Sequence, residues 1–427
     1  MLFLSILSGL FLLAACYAIG YLRRERAAEH QDFEEGFVFA NQPEAIFTGC
    51  LLLFLGTMSW VCISRHLGLL WVAVEATTLA SAPLIYFHRH HRSLEATWKY
   101  LLICSVGIAL ALLGTFFLGV AATGADGHTL PLTIDNLLQH GGRLQPVWLR
   151  AAFIFLLVGY GTKMGLAPLH TWLPDAHSEA PSVVSALLSG AVLNCAFLAL
   201  VRVHGLCVAA GEGAFSGGLL IAFGLLSMAV AAVLVIGQRD FKRLLAYSSV
   251  EHMGILAFGL GLRGIGAFGA MLHALNHSVV KALLFFVAGN IIAQFQTKSI
   301  NAVRGMLPVM PLAAALWLAG LLAIAGMPPF GVFLSKFTIV NAAIVTGHPW
   351  CGVLFLVLLA VMFFVVTRTA VSMALGAPSP PEPVPKTMLT TLPPLVLCGV
   401  TLVLGLWVPA PLQRLLQAAA AIAGGTP

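Results

Sequence analysis

The stretch GTKMGLAPLHTWLPDAHSEAPS, Gly161–Ser182, decides how this chain is read. It closes an apolar run that starts at Ala151 and has the character of a membrane helix, yet it carries Lys163 and is interrupted at Pro168. Hydrocarbon penalises both features. A charged side chain at the centre of a span costs about 2.5–3.5 kcal/mol on insertion scales. A broken helix leaves backbone groups that lipid cannot satisfy, so it survives at membrane depth only inside protein or beside a wet cavity.

The whole composition agrees with a membrane setting. Of 427 residues, 59% are hydrophobic and 9% charged, where soluble domains carry roughly 25% charged residues. The 22 Lys and Arg exceed the 16 Asp and Glu by six. In a polytopic chain that excess reflects basic cytoplasmic loops rather than a nucleic-acid partner. Eight cysteines, Cys16, Cys50, Cys62, Cys104, Cys195, Cys207, Cys351 and Cys398, are scattered and mostly lie in apolar runs. None has CxxC spacing, so they read as small buried hydrophobes rather than zinc or iron–sulfur ligands. Met1–Tyr21 lacks a basic leader and a small-residue cleavage site before RRER, and reads as a retained helix.

Runs near 2–21, 44–64, 67–87, 98–122, 150–168, 181–205, 215–237, 242–262, 265–291, 309–345, 350–375 and 390–408 predict an all-α polytopic membrane protein of about twelve transmembrane helices. The 309–345 run is too long for one straight span and contains GMPPFG, Gly326–Gly331, so it is expected to break as the 150–168 run does. Loops with Arg23, Arg24, Arg26, Arg89, Arg92, Arg239, Lys298, Arg304 and Lys386 lie on one side, with Lys242 and Arg243 at a helix start. Arg65, Arg143, Arg150, Arg263 and Arg414 fall on the other, with Arg202 at a helix end, so the first side is expected to be cytoplasmic and both termini outside. Spans two to six and seven to eleven form two blocks of five, each with a proline-broken fourth helix carrying a lysine. Five is odd, so the second block enters inverted, as in many transporters. The expected division is 1–43 (first helix and cytoplasmic loop), 44–205 and 206–375 (two inverted repeats), and 376–427 (loop, last helix and tail).

The ionisable residues inside these runs are the candidate site. Glu75 lies mid-helix in LLWVAVEATTLASA and needs a cationic partner at that depth. Lys163 is a turn before its break, where snorkelling to the interface is the bland alternative. His273, His277 and Lys281 are spaced four apart and share one helix face. An HxxxH pair suggests a metal, but a third ligand is wanting and the adjacent lysine has the wrong sign, so a hydrated proton relay fits better than a metal or two satisfied core histidines. Lys336 follows the second break as Lys163 precedes the first. Glu251 and His252 in SSVEHMG, and His170 near the first break, are secondary relay candidates. Arg368 could equally reach the interface. GLGLRG, Gly259–Gly264, matches a dinucleotide pattern but follows an apolar helix instead of a strand. HRHH, His88–His91, reads as a basic helix end. No nucleophile, phosphate-loop or haem-attachment signature is present, so no active site is expected in this chain.

Four separated motifs then carry a resemblance: KMGLAPLHTWLPDAHSEAPSVVSALLSG (Lys163–Gly190), DFKRLLAYSSVEHMGI (Asp240–Ile255), HALNHSVVKALLFF (His273–Phe286) and GMPPFGVFLSKF (Gly326–Phe337). Together they resemble the antiporter-like proton-translocating subunits of respiratory complex I, Mrp cation/proton antiporters and group 4 membrane-bound hydrogenases. SSVEHMG and LLWVAVEATTLASA look most like component F of hydrogenase-4. The resemblance implies fourteen helices in the family, two inverted five-helix repeats and a line of buried charges at the membrane midplane. It implies that Glu75 faces the first broken helix, that Lys163 is that helix's lysine, that His273, His277 and Lys281 form the central connection, and that Lys336 stands on the exit side. By the same comparison Met1–Tyr21 resembles the family's third helix, and the long lateral helix of the largest complex I member is not seen.

The expected function is therefore a proton-translocating subunit of a redox-driven complex in a bacterial or archaeal inner membrane. It would work beside other membrane subunits and a peripheral redox arm, with nickel–iron and iron–sulfur centres in those partners and no cofactor in this chain. Pairing of Lys163 with Glu75 would hold a proton, and their separation would release it toward His277 and Lys281. Two alternatives remain: an Mrp-type sodium/proton antiporter subunit, mildly disfavoured because sodium prefers oxygen ligands, and the membrane proton channel of a zinc protein that hydrates CO2.

Overall fold

The computed structural model describes residues 1–27, 36, 38–124, 128–376 and 387–424. Lys386, used above to orient the chain, lies outside the described residues. The helices are α1 (Leu2–Ala27), α2 (Glu44–Ile63), α3 (Leu67–Ile85), α4 (His91–Ala121), α5 (Pro146–Met164) and α6 (Trp172–Glu179). There follow α7 (Ser182–Ala209), α8 (Gly213–Val235), α9 (Phe241–Leu262), α10 (Gly264–Phe295), α11 (Pro311–Ala325), α12 (Gly331–Val345), α13 (Pro349–Ala374), α14 (Met388–Leu406) and α15 (Ala410–Ala421). Among the described residues there are isolated bridges but no strand.

Ten of these helices are long and apolar enough to cross a membrane. α9 is of similar length but carries Lys242, Arg243 and Glu251, and α11 with α12 makes up one further span in two halves. Burial separates centre from rim. α7 is buried along its whole membrane window and α10 over 78% of it, against 28% for α13 and 33% for α2 and α14. α10 packs against α7, α9, α11, α12 and α14, so His273, His277 and Lys281 near its middle are enclosed by protein. α1, the first apolar run, continues through the RRER stretch to Ala27.

Both helix breaks use one local solution. Gly165 (φ +85°) and Gly326 (φ +92°) take the left-handed conformation that only glycine adopts without strain. Leu166 N–H then donates to Gly161 O and Gly165 N–H to Thr162 O; Met327 N–H donates to Leu322 O and Gly326 N–H to Ala323 O. This paired pattern satisfies two of the last-turn carbonyls that a helix end leaves open. The first break thus falls at Met164, four residues before Pro168, because the glycine rather than the proline ends the helix. Lys163 becomes the penultimate residue of α5.

α4 and α5 approach closely because both are lined with small residues. A Cβ on Gly159 would stand 2.6 Å from Ala111 Cβ and from Gly107 O, leaving no room for a side chain. Such small-residue contacts substitute for the hydrophobic drive that lipid does not supply. We expect Gly159→Ala to lower the thermal midpoint of the detergent-solubilised protein, at a cost of about 1–3 kcal/mol for forced overpacking. Gly119→Ala on the same α4, where nothing lies within 4 Å, should leave it unchanged.

Candidate functional site

The α4–α5 contact positions the first charged group. Lys163 is 1% exposed, so it does not snorkel. Its ammonium donates to Thr78 Oγ1 at 2.8 Å and Tyr100 Oη at 2.6 Å, and lies 4.5 Å from the Tyr100 ring centroid. Glu75 is half-buried one turn from Thr78 on α3 and makes no direct ion pair with Lys163 among the described contacts. The Thr78 hydroxyl stands 3.3 Å from Glu75 Oε2, and Ser105 Oγ donates to Oε1 at 2.8 Å. The threonine hydroxyl therefore links carboxylate and ammonium. Ser81 completes the group with a 2.6 Å hydrogen bond to Tyr100 Oη.

A second cluster surrounds the second break. Lys336 donates to Ile324 O at 3.1 Å and Ala325 O at 3.3 Å, the last carbonyls of α11. A cation at a helix C-terminus meets both open acceptors and the negative end of the helix dipole. Its Nζ is also 3.8 Å from Glu251 Oε1. Glu251 Oε2 is 3.8 Å from His252 Nε2, and His252 Nδ1 is 2.8 Å from His273 Nε2. His273 Nδ1 in turn meets Ser335 Oγ at 2.8 Å. Glu251 and His252 thus stand in direct contact with Lys336 and His273.

His277 and Lys281 lie between the clusters on α10, both fully buried. Neither ring nitrogen of His277 has a hydrogen-bond partner, and its ring is 5.2 Å from that of His252. Lys281 donates to Leu245 O at 2.6 Å and to Ser248 Oγ. No carboxylate forms an ion pair with it among the described residues.

His177 was not singled out in the sequence, although it lies within the opening stretch. It is fully buried on α6, neither ring nitrogen has a partner, and its ring stacks 5.4 Å from Phe285, one turn beyond Lys281 on α10. Its other face meets Trp172, which contacts Tyr100 at 5.0 Å between ring centroids. The Trp172 indole donates to Thr162 O and offers no acceptor, so a proton passes between Tyr100 and His177 only through added water. Thr78, Tyr100 and Ser81 were also missed. The spacing Glu75–Thr78–Ser81, three residues apart on one helix face, was the available signal. His170 stands apart: its Nδ1 is unpartnered, its ring contacts Tyr247 at 6.4 Å, and no hydrogen bond or ion pair joins it to the other candidates.

α7 contains a π-turn at Leu188–Val192 beside this file, a distortion that frequently marks functional sites. Immediately after it, Asn194 Nδ2 donates to Ser278 Oγ at 2.5 Å and ties α7 to α10.

The short α6 is held from the basic side. Asp175 accepts from Lys99 at 2.9 Å and Arg243 at 2.8 Å, and Lys242 donates to Ser178 O and Ala180 O at the end of α6. Of the HRHH stretch, His90 caps α4 through Ser93 N–H and His88 bonds Asn41 and Tyr21. Among the described residues no three His, Cys, Asp or Glu side chains converge as a metal site.

The comparisons follow this geometry. Residues 64–363 match the family described as NADH:quinone oxidoreductase/Mrp antiporter, TM, and the chain belongs to that family. It is 42% identical over 288 residues to a hydrogenase-4 component F homolog of Methylacidiphilum infernorum, covering 67% of this chain and 60% of that protein. It is 31% identical over 402 residues to the F(420)H(2) dehydrogenase subunit N of Methanosarcina mazei, covering 90% and 78%. A chain of the archaeal membrane-bound sulfane sulfur reductase superposes with TM-score 0.80 at 25% identity, covering 88% of this chain and 75% of that one. A chain of the Mrp complex from Dietzia sp. shares the fold at TM-score 0.83 and 21% identity, covering 99% and 82%. The resemblance seen in the four motifs is therefore real and extends over the membrane fold.

Glu179 supplies a pH test at the basic face, outside the spans. Burial alone pushes its carboxyl up, but Lys298 at 3.0 Å, with Lys242 and His90 behind it, holds it down from an ordinary 4.5 to about 2. A lowered folded-state value gives stability that is present above about pH 4.5 and is lost as pH falls toward about 2. Lys298→Met should move that acid loss to higher pH, read as the thermal midpoint of the solubilised protein across this range. An unchanged profile would contradict the ion pair's role.

Proposed function

We propose that the chain translocates protons as an antiporter-like membrane subunit of a redox-driven complex of the complex I or group 4 hydrogenase type. The single observation that carries this reading is the file of titratable groups through the bundle, from half-buried Glu75 to the buried Lys163, His177, Lys281, His277, His252 with His273, Glu251 and Lys336. No soluble-protein need explains so many desolvated ionisable groups, each costly at membrane depth. Their donors are nitrogen-rich, which suits proton transfer better than binding sodium, an ion that prefers oxygen.

In this reading Glu75 and Lys163 form the input pair. A proton stays on Lys163 while Thr78 couples it to the carboxylate, and it leaves toward His177 when that coupling loosens and water bridges past Trp172. Lys281 and His277 pass it on, and the His252–His273 pair hands it to Glu251 and Lys336. Residues 44–205 and 206–375 act as two halves, each built around one broken helix and one lysine. The basic loops face the cytoplasm of a bacterial or archaeal cell. Electrons are handled by partner subunits, where nickel–iron and iron–sulfur centres and a peripheral redox arm belong, and this chain contributes none of that chemistry.

Inverted membrane vesicles test the proposal. Lys163→Ala and Glu75→Ala should each cut redox-coupled proton uptake by about tenfold or more, while native gel migration shows the complex still assembled. Unchanged pumping in either variant sinks the assignment. Co-purification through a C-terminal tag should bring hydrogenase-like and iron–sulfur subunits; recovery of a zinc hydratase instead would replace the redox partner while leaving the relay in place.

A further inference from the structure

Beyond the Glu251–Lys336 pair the lining of the bundle changes from polar to apolar within one helical turn. α9 and α12 run toward the face opposite the basic loops, and α10 starts from that face. On α9, Glu251 is followed four residues later by Ile255 and then by Phe258; on α12, Lys336 is followed three residues later by Ile339. On α10, Gly269 precedes His273 by four. These spacings keep each pair on one helix face. The apolar members, with Met228 of α8 and Phe355 of α13, form a small buried cluster separate from the main core. Phe258 and Phe355 stack at 5.1 Å.

Ile339, one member of this cluster, is fully buried. Its seat is cut from glycine. A Cβ on Gly269 would stand 2.8 Å from Ile339 Cγ1, and one on Gly259 would stand 3.0 Å from Cδ1. A Cβ on Gly266 would come 2.7 Å from Gly259 O, so the α9 and α10 backbones also close on each other there. Beside this seat Thr338 turns its methyl to Gly269, where a Cβ would stand 3.2 Å from Thr338 Cγ2, and its hydroxyl is bonded to Leu334 O. The first half of the chain differs: toward the same face its lining includes Arg202, whose guanidinium donates to Val61 O and Cys62 O at the end of α2.

We propose that Ile339 is the plug of an apolar gate that closes the route from Glu251 and Lys336 to the opposite face. The inference rests on the proton-translocating reading given above. An apolar constriction stops protons by excluding water, and Ile339 sits about 4.5 Å along the helix from Lys336, with about 9 Å of α12 still to run. The plug and the lysine ride on the same half-helix, which joins α11 only through residues 326–330. A slide or rotation of α12 that re-pairs Lys336 between the α11 carbonyls and Glu251 therefore displaces Ile339 as well. Loading of the last proton site and opening of the exit become one motion.

The test uses inverted vesicles that hold the assembled complex, with an imposed pH gradient and no redox substrate. Ile339→Ser should raise passive proton leak by about tenfold, and Ile339→Ala, which serves if the serine variant does not assemble, should raise it less. Adding Lys336→Met to either variant should abolish the extra leak, because the route opened begins at that lysine. An assembled Ile339→Ala variant with wild-type tightness overturns the gate. So does a leak indifferent to Lys336→Met, which marks general loosening of the packing. Redox-driven uptake by the unmutated complex, recorded in the same vesicles, separates failure of the gate from failure of proton translocation itself.

Discussion

An ammonium group inside a bilayer must be met by oxygen atoms, and the rest of this structure follows from that demand. Carbonyls inside an intact helix are already bonded there, although a second lone pair still serves Lys281, which reaches Leu245 O within α9. The two breaks add open acceptors. At the second break Lys336 takes the last two carbonyls of α11. At the first, α5 ends a residue after Lys163, and hydroxyls from α3 and α4 reach the ammonium instead. The glycine cap that ends each half-helix and the small residues that let α4 approach α5 both serve these two cations.

Between the breaks lie histidines and one further lysine, Lys281, which donates to Leu245 O and Ser248 Oγ. His177 and His277 are enclosed by protein with no hydrogen-bond partner on either ring nitrogen. An unsatisfied buried polar group costs about 1–3 kcal/mol, so these ring nitrogens are placed to accept a bridging water or a transferred proton. The opposite holds at the basic face, where Asp175, Glu179, Lys242, Lys298 and Arg243 are paired or bonded to backbone and fix the position of α6. Rigid ion pairs at the basic face therefore hold in place the short helix that carries His177.

Much of this was legible in the sequence. The apolar runs gave the spans, and GLAP and GMPPFG marked both breaks. Four-residue spacing alone places His273, His277 and Lys281 on one helix face. What could not be read depends on register between helices. Whether Glu75 touches Lys163 or reaches it through Thr78 is set by how far α3 slides against α5. Tyr100 joins the site only because glycine lets α4 come close, and it lies near the start of a helix that begins at His91, seven residues before the apolar run suggested. His177 was overlooked because its neighbours, Trp172 and Phe285, say nothing about protons by themselves. The π-turn in α7 has no sequence signature to find.

In the proposed relay one lateral file joins the two halves, and Lys281, fully buried on α10 between the two clusters, is its link. Proton uptake coupled to electron transfer should be measured in vesicles carrying Lys281→Met, with Lys163 and Lys336 untouched and assembly verified on native gels. The account predicts that uptake collapses while the ends of the file remain chemically intact. Uptake at the unmutated level would mean that the halves work as independent channels, and the file would be no pathway at all.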